Sequence, residues 1–339
     1  MDIAQLTTLR TGGPAREFVS VSTEDDLVQA VREADEAGKE VLLVAGGSNL
    51  VVADAGFDGL VVHIATSGIA TESDLCGGAF VTVAAGENFD DFVSHAVSNE
   101  WIGIEALSGI PGTVGATPIQ NVGAYGQEVA NTISSVQTWD RKTQSVKTFS
   151  SSECEFSYRN SVFKKQPNRF VVLSVTFQFK IGSRGTPIAY EQLARQLGVA
   201  VGERVPMQEV RDEVLTLRTL KGMVLDERDH DTWSTGSFFT NPFITAEQSE
   251  ELPEDAPRFA QNDGTVKTSA AWLIEHAGFT RGFGDGNATL SNKHALAITN
   301  RGSATTADIL QLARQVRDGV ETLFGIRLEN EPVLVGCSL

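Results

Sequence analysis

The sequence predicts a mixed helix-and-strand protein of two or three domains on three observations. Strand and helix signals alternate at the start, strand signals dominate from Val136 to Phe179, and helical periodicity returns at Met207 and Thr305. Near the start, Thr23-Glu24-Asp25-Asp26 is a capping-box-like opening. Leu27, Ala30, Val31 and Ala34 follow at helical spacing, and Gly38 stops the turn. Apolar runs at Val41 to Val44, Leu50 to Ala53, Leu60 to Ile64 and Val81 to Ala85 read as strands. Phe89 to Asn99 reads as a second helix with Phe92, Val93, Ala96 and Val97 on one face, and Val171 to Phe179 is the clearest strand. Met207 to Leu220 puts Val210, Val214 and Leu217 on one helical face and closes on Arg218 and Lys221, where the macrodipole favours cations. Glu250 to Pro257 reads as an acidic surface loop and Ala271 to Ile274 as the buried face of a short helix. Thr305 to Phe324 is a long amphipathic helix ended by Gly325.

Composition narrows the function. The chain has 339 residues, 41% apolar and 21% charged, which is that of a folded protein with substantial cores. A formal charge of −17 repels nucleic acid and anionic membranes, so any polyanionic partner needs a locally basic pocket. Cys76, Cys154 and Cys337 are odd in number and lack metal-ligand spacing, which predicts buried thiols in a reducing compartment. No apolar run has the length of a membrane span, and MDIAQLTTLR lacks a signal core, so a cytoplasmic protein is expected. The mixed run Asp226 to Asp231 reads as a solvated loop, with no metal site expected.

Two stretches supply backbone and little else. Gly46-Gly47-Ser48-Asn49-Leu50 is not a dinucleotide fingerprint, because Leu50 to Ala53 continues as strand rather than opening a helix. Ser108 to Gln127 holds five glycines, two prolines and no charged side chain. Converging N–H groups hold phosphate without lysine or arginine, and glycine permits close approach. In the second stretch Gly109, Gly112, Gly115, Gly123 and Gly126 interleave with Ser108, Thr113, Gln120 and Asn121, a pattern suited to a long diphosphate-bearing ligand. Ile110, Val114, Ile119 and Val122 argue against a mobile surface loop, which would expose them.

The segments LLVAGGSNLVV, EALSGIPGTVGATPIQNVGAYGQE, FSYRNSVFK and STGSFFTNP resemble, in that order, signature segments of the UDP-N-acetylenolpyruvylglucosamine reductase family. The resemblance runs from about Thr8 to the C-terminus. It implies an α+β fold: a vanillyl-alcohol-oxidase-type (PCMH-type) FAD-binding unit of two α/β subdomains plus a separate α+β substrate-binding domain. The implied boundaries are 1–66 with 326–339, then 67–217, then 218–325, with the last strand completing the first part. Non-covalent FAD is implied along Gly46, Gly47, Ser48, Asn49 and Leu50, and along Ser108 to Tyr125. In the latter stretch Ile110, Pro111, Ala116 and Ala124 join the residues already named.

The activity implied has two halves: NADPH reduces FAD and leaves, then hydride passes to the enolpyruvyl ether of the sugar nucleotide. That addition leaves enolate-like charge beside a carboxylate, which demands a cation and a positioned acid. By resemblance Arg159 supplies the cation, Ser237 the proton, and Glu331 assists, with Glu329 a lesser candidate. Tyr158, Tyr190, Lys221, Asn241, Lys293 and His294 match substrate-binding positions, Tyr190 lying on the extra loop of the family's larger subgroup. Three positions depart from the pattern: Pro332 stands where valine is common, Thr240 where lysine is frequent, and Ala116 where glycine is common, tolerable only at negative φ. A monomer is expected, with NADPH and sugar nucleotide using one pocket in turn. Another FAD-dependent oxidase or dehydrogenase on the same fold, or a non-catalytic flavin- or nucleotide-sugar-binding module, remain the alternatives.

Overall fold

The helix announced by Thr23 runs Glu24–Glu36, the Thr23 hydroxyl accepting the Asp26 N–H at 3.1 Å while Leu27, Val31 and Ala34 are buried. This is a computed structural model, which describes residues 1–74 and 78–339. Two compact units make up the chain. Unit A comprises Arg16–Gly46 and Asp58–Thr219, and unit B comprises Met1–Ala15, Gly47–Phe57 and Leu220–Leu339.

In unit A, Val41–Val44 pairs in parallel with Phe57–Ile64 in a three-stranded sheet. An antiparallel sheet takes the order Ser145–Ser150, Ile133–Asp140, Phe170–Ile181, Gly78–Ala84, Ile69–Asp74, and Trp101–Ile102 pairs with the end of the long central strand. From Val175 that strand alternates, sending Phe177 and Phe179 inward and Gln178 and Lys180 outward. Helix Phe89–Ser98 covers this face, with the Phe92 ring 5.0 Å from Phe177 and 6.2 Å from Phe179. Helix Met207–Leu220 buries Val210, Val214 and Leu217 against Ala106, Ile188 and Leu193, the satellite cluster beneath the glycine-rich stretch.

In unit B, the parallel pair Leu50–Val52 and Val333–Val335 joins an early segment to the last strand. The core lies between helices Ala270–His276 and Thr306–Phe324, where Leu273, Ile274, Ile309, Ala313 and Val316 are fully buried. Thr305 and Asp308 form a capping box, and Gly325 at φ 67° ends the long helix.

The structure corrects two expectations. Glu250 and Glu251 end a short helix, Ala246–Glu251, and the turns after it are anchored, with Leu252 and Ala256 buried. The Arg258 guanidinium gathers the carbonyls of Ser249, Leu252, Pro253, Glu254 and Ala256 there, which no local pattern encodes. The run Asp226 to Asp231 is not simply solvated: Asp231 is 4% exposed and accepts from Ser291, the Asn292 N–H and Arg301. Of the thiols, Cys154 is buried, which pushes it up to about 12, whereas Cys337 is half-buried and Cys76 lies outside the described residues. Among the described residues no helix is long and apolar enough to cross a membrane.

Candidate active site

In unit A the stretch from Ser108 is built into the core. Leu107, Ser108, Val114 and Gly115 are buried, Ile110 and Val122 pack against the core, and Ile119 alone of the apolar set is exposed. Gly112 accepts the Phe89 N–H at 3.1 Å, and Val114 and Gly115 donate to the carbonyls of Glu87 and Ala85 at 2.9 and 2.8 Å. A Cβ on Gly46 would stand 2.5 Å from Gly112 Cα, and one on Gly115 would stand 2.5 Å from Ala85 Cβ. The two glycine-rich stretches therefore meet backbone to backbone, an approach that any side chain blocks. Ala116 is absent from the positive-φ residues, so its methyl group is accommodated.

The donors are fewer than the glycine count suggests. The N–H of Gly109 goes to Asp90 Oδ1 at 2.6 Å, and those of Ile110, Gly115 and Ala116 go to backbone carbonyls. Among the described residues, the N–H groups of Gly112 and Thr113 donate to no protein acceptor, and the buried Thr113 hydroxyl has no partner. Asp90 also takes both Arg211 Nη atoms, at 2.6 and 3.0 Å. Burial alone would raise Asp90, but Arg211, the Gly109 N–H and Arg218 outweigh it and hold the carboxyl below its ordinary range.

The far end of the stretch carries the arginine. Asn121, at φ 47° and 1% exposed, donates to Glu128 Oε2 (2.8 Å) and the Ser157 carbonyl (3.2 Å) and accepts from the Ala130 N–H. It thereby ties the FSYRN segment to the glycine-rich one, and Arg159, at φ 51°, donates from Nη2 to the Gly123 carbonyl at 2.9 Å. The Tyr158 ring lies 5.5 Å from that guanidinium. Tyr125, whose hydroxyl burial pushes up, meets the half-exposed Tyr190 edge to face at 5.6 Å.

In unit B a backbone relay joins three distant segments. Asn49 accepts from the Val333 N–H at 2.9 Å and its side chain reaches the Glu331 carbonyl at 3.4 Å. Glu331 donates its N–H to the Phe238 carbonyl at 2.9 Å, and Thr240 donates to the Glu329 carbonyl at 3.0 Å. Asn49, Ser237 and Glu331 are thus neighbours, the Asn330 side chain bonding the Pro332 carbonyl at 2.8 Å. Ser237 is half-buried between Gly236, at φ 75°, and the buried Phe238. The buried Thr235 hydroxyl two residues before it has no hydrogen-bond partner among the described residues. Gly47, at φ 56°, would place a Cβ 1.9 Å from the Leu6 carbonyl oxygen, and Thr8 bonds both Gly47 and the Ser234 carbonyl.

The substrate-binding candidates split. A Cβ on Gly222 would stand 3.4 Å from Lys293 Cδ, so Lys293 lies against the turn that follows Lys221, and Lys293 Nζ pairs with Asp229 at 2.6 Å. That bond holds Asp229 below its ordinary range. The His294 N–H is spent on the Ser291 hydroxyl, and the Asn241 side-chain Oδ1 accepts the Ala270 N–H, anchoring the start of a helix. Asp90, Thr8 and Asp229 escaped sequence reasoning, since only long-range pairing distinguishes them from ordinary surface residues.

A glycine-built cradle whose Gly112 and Thr113 N–H groups and buried Thr113 hydroxyl have no protein partner among the described residues fits the dinucleotide FAD, and residues 15–148 match a family described as FAD binding domain. The chain is of the class of FAD-dependent oxidoreductases. Residues 228–335 match the family described as UDP-N-acetylenolpyruvoylglucosamine reductase, C-terminal domain. The chain is 56% identical to the UDP-N-acetylenolpyruvoylglucosamine reductase of Cutibacterium acnes, with 99% of this chain and 90% of that one covered. It is 51% identical to the Streptomyces avermitilis counterpart, with 99% and 94% covered. The crystal structure of UDP-N-acetylenolpyruvylglucosamine reductase from Thermus caldophilus matches with a TM-score of 0.68 and 25% identity, covering 99% and 97% of the two chains. The chain belongs to the UDP-N-acetylenolpyruvoylglucosamine reductase family and has its α+β fold with a PCMH-type FAD-binding unit.

Proposed function

We propose that the protein reduces UDP-N-acetylglucosamine enolpyruvate to UDP-N-acetylmuramate at the expense of NADPH, a step of peptidoglycan precursor synthesis in the cytoplasm. The observation that carries the site assignment is the relay in which Glu331 bonds the Phe238 carbonyl beside Ser237. When bound, FAD supplies a two-electron carrier between NADPH and the vinyl carbon. Gly46 to Leu50 and the Ser108 to Tyr125 stretch hold it. We assign the substrate-binding part to 218–325 and the cofactor part to 1–66 with 326–339 and 67–217.

The remaining roles follow from the substrate's chemistry. Arg159 faces the carboxylate of the enolpyruvyl group with a guanidinium that cannot lose its proton and stabilises the enolate-like charge that hydride addition creates. Glu331 polarises the same group. Ser237 gives its hydroxyl proton to the carbon bearing the ether; a serine is acid enough for this only against so basic an acceptor. Lys221 supplies the locally basic patch that a diphosphate needs on an acidic protein, with Lys293, itself paired with Asp229, lining the same pocket. NADPH and sugar nucleotide bind in turn at one pocket of a monomer.

Anaerobic titration tests the assignment. Flavin absorbance is expected to bleach with NADPH and to recover on adding the enolpyruvyl sugar nucleotide. Bleaching without recovery supports a different flavin oxidoreductase, and a protein that takes up no flavin supports a binding module. Glu331→Gln is expected to slow turnover at least about 10²-fold; near-normal turnover removes Glu331 from the set.

A further inference from the structure

A buried carboxylate that the chemistry above does not use lies beneath the glycine-rich stretch. Glu105 is 1% exposed, and among the described residues no lysine, arginine or histidine pairs with it. It is held by neutral donors: the N–H of Gly103 (2.7 Å), the N–H of Thr186 (2.7 Å), Gln127 Nε2 (2.8 Å) and the Thr186 hydroxyl (3.2 Å). Gln127 also donates to the Thr186 hydroxyl at 2.7 Å and accepts the Ala106 N–H at 2.8 Å. A Cβ on Gly185 would stand 2.5 Å from Glu105 Oε1, so the backbone is opened to admit the carboxylate. A buried charge is costly unless fully hydrogen-bonded, and this one is satisfied by three separate segments.

Those segments are the entrance of the glycine-rich stretch (Glu105, Ala106), its exit (Gln127) and the root of the loop that carries Tyr190 (Thr186). The loop then lies along the stretch: Ala189 Cβ stands 2.9 Å from where Gly126 would carry one, and the Tyr190 ring meets Tyr125 at 5.6 Å. We propose that Glu105, through Gln127 and Thr186, is a positioning residue that locks the FAD-binding stretch and the Tyr190 loop into one mechanical unit, so that flavin loading pre-sets the arm over the nucleotide. This rests on the reading of those two segments given above.

Hydrogen exchange by mass spectrometry on the FAD-loaded protein tests the lock. Gln127→Ala and Glu105→Gln are expected to speed exchange in residues 106–112 and 186–190 together. Both should weaken FAD binding about tenfold, the effect of one charge-assisted hydrogen bond. KM for the enolpyruvyl sugar nucleotide should rise while kcat stays within about threefold. Thr186→Val, which replaces the hydroxyl with a methyl group and keeps the Thr186 N–H bond to Glu105, should move the same three readouts in the same direction by less, and it serves if the Glu105 variant does not fold. Faster exchange confined to one of the two segments, with FAD affinity and KM as in the parent, overturns the proposal. If the parent protein does not turn over the sugar nucleotide, the functional reading fails, while exchange and FAD affinity still decide the lock.

Discussion

At Gly46, Gly47 and Gly38 the same residue type does three different things. Gly46 has an ordinary φ but no room, its missing Cβ lying 2.5 Å from Gly112. Gly47 has neither room nor an L-residue φ, and Gly38, at φ 65°, has nothing within 4 Å. Gly38→Ala is therefore expected to cost only the left-handed conformation, about 1–2 kcal/mol, with flavin retained. Gly46→Ala must push two backbones apart, costing about 1–3 kcal/mol, and should also release flavin. Calorimetry with absorbance of the purified variants separates the two, and equal flavin retention in both contradicts the role given to the Gly46–Gly112 contact. Ser237 shows the limit of residue-scale reading. In isolation its hydroxyl resembles that of any turn serine, and only the Glu331 N–H on the next carbonyl sets it apart.

Elements were legible where their information is local. Helices Glu24–Glu36, Phe89–Ser98, Met207–Leu220 and Thr306–Phe324 follow the 3.6-residue period to within a residue. What could not be read is what depends on partners far along the chain: the carbonyls gathered by Arg258, the burial of Asp231, the pairing of Asp90 with Arg211, and the use of glycine N–H groups inside the chain. The glycine pattern announces a close backbone approach but not which N–H groups remain for a ligand. The long helix illustrates the same point, since Asp54, from a segment far upstream, accepts the Thr306 and Ala307 N–H groups at 2.7 and 3.0 Å. Asp54→Ala is expected to destabilise unit B by about 1 kcal/mol, less at high salt, measured by urea unfolding. An unchanged midpoint at low salt contradicts that role.

For the whole molecule the acidic balance sets the pH response. Asp140 is held down to about 2, chiefly by the Arg169 guanidinium at 2.8 Å, and Asp90 is also depressed. Each binds its proton less readily folded than unfolded. The stability they contribute is complete above the ordinary carboxylate range near 4 and is lost as pH falls toward about 2. Thermal unfolding between pH 5 and 2 should show this loss, and Arg169→Gln should flatten it; an equal slope in that variant removes Asp140 as a contributor. The formal charge of −17 adds a second consequence. Diphosphate ligands are drawn in only by the local cations, so KM for the sugar nucleotide should rise in Lys221→Met.

The most direct measurement is rapid-mixing absorbance of Ser237→Ala in each half-reaction separately. Flavin reduction by NADPH should proceed near the parental rate, because no proton from Ser237 enters it. Reoxidation by the enolpyruvyl sugar nucleotide should slow by about 10²–10⁴-fold, the loss expected for a missing general acid. Equal slowing of both half-reactions, or of neither, would contradict the placement of Ser237 at the protonated carbon.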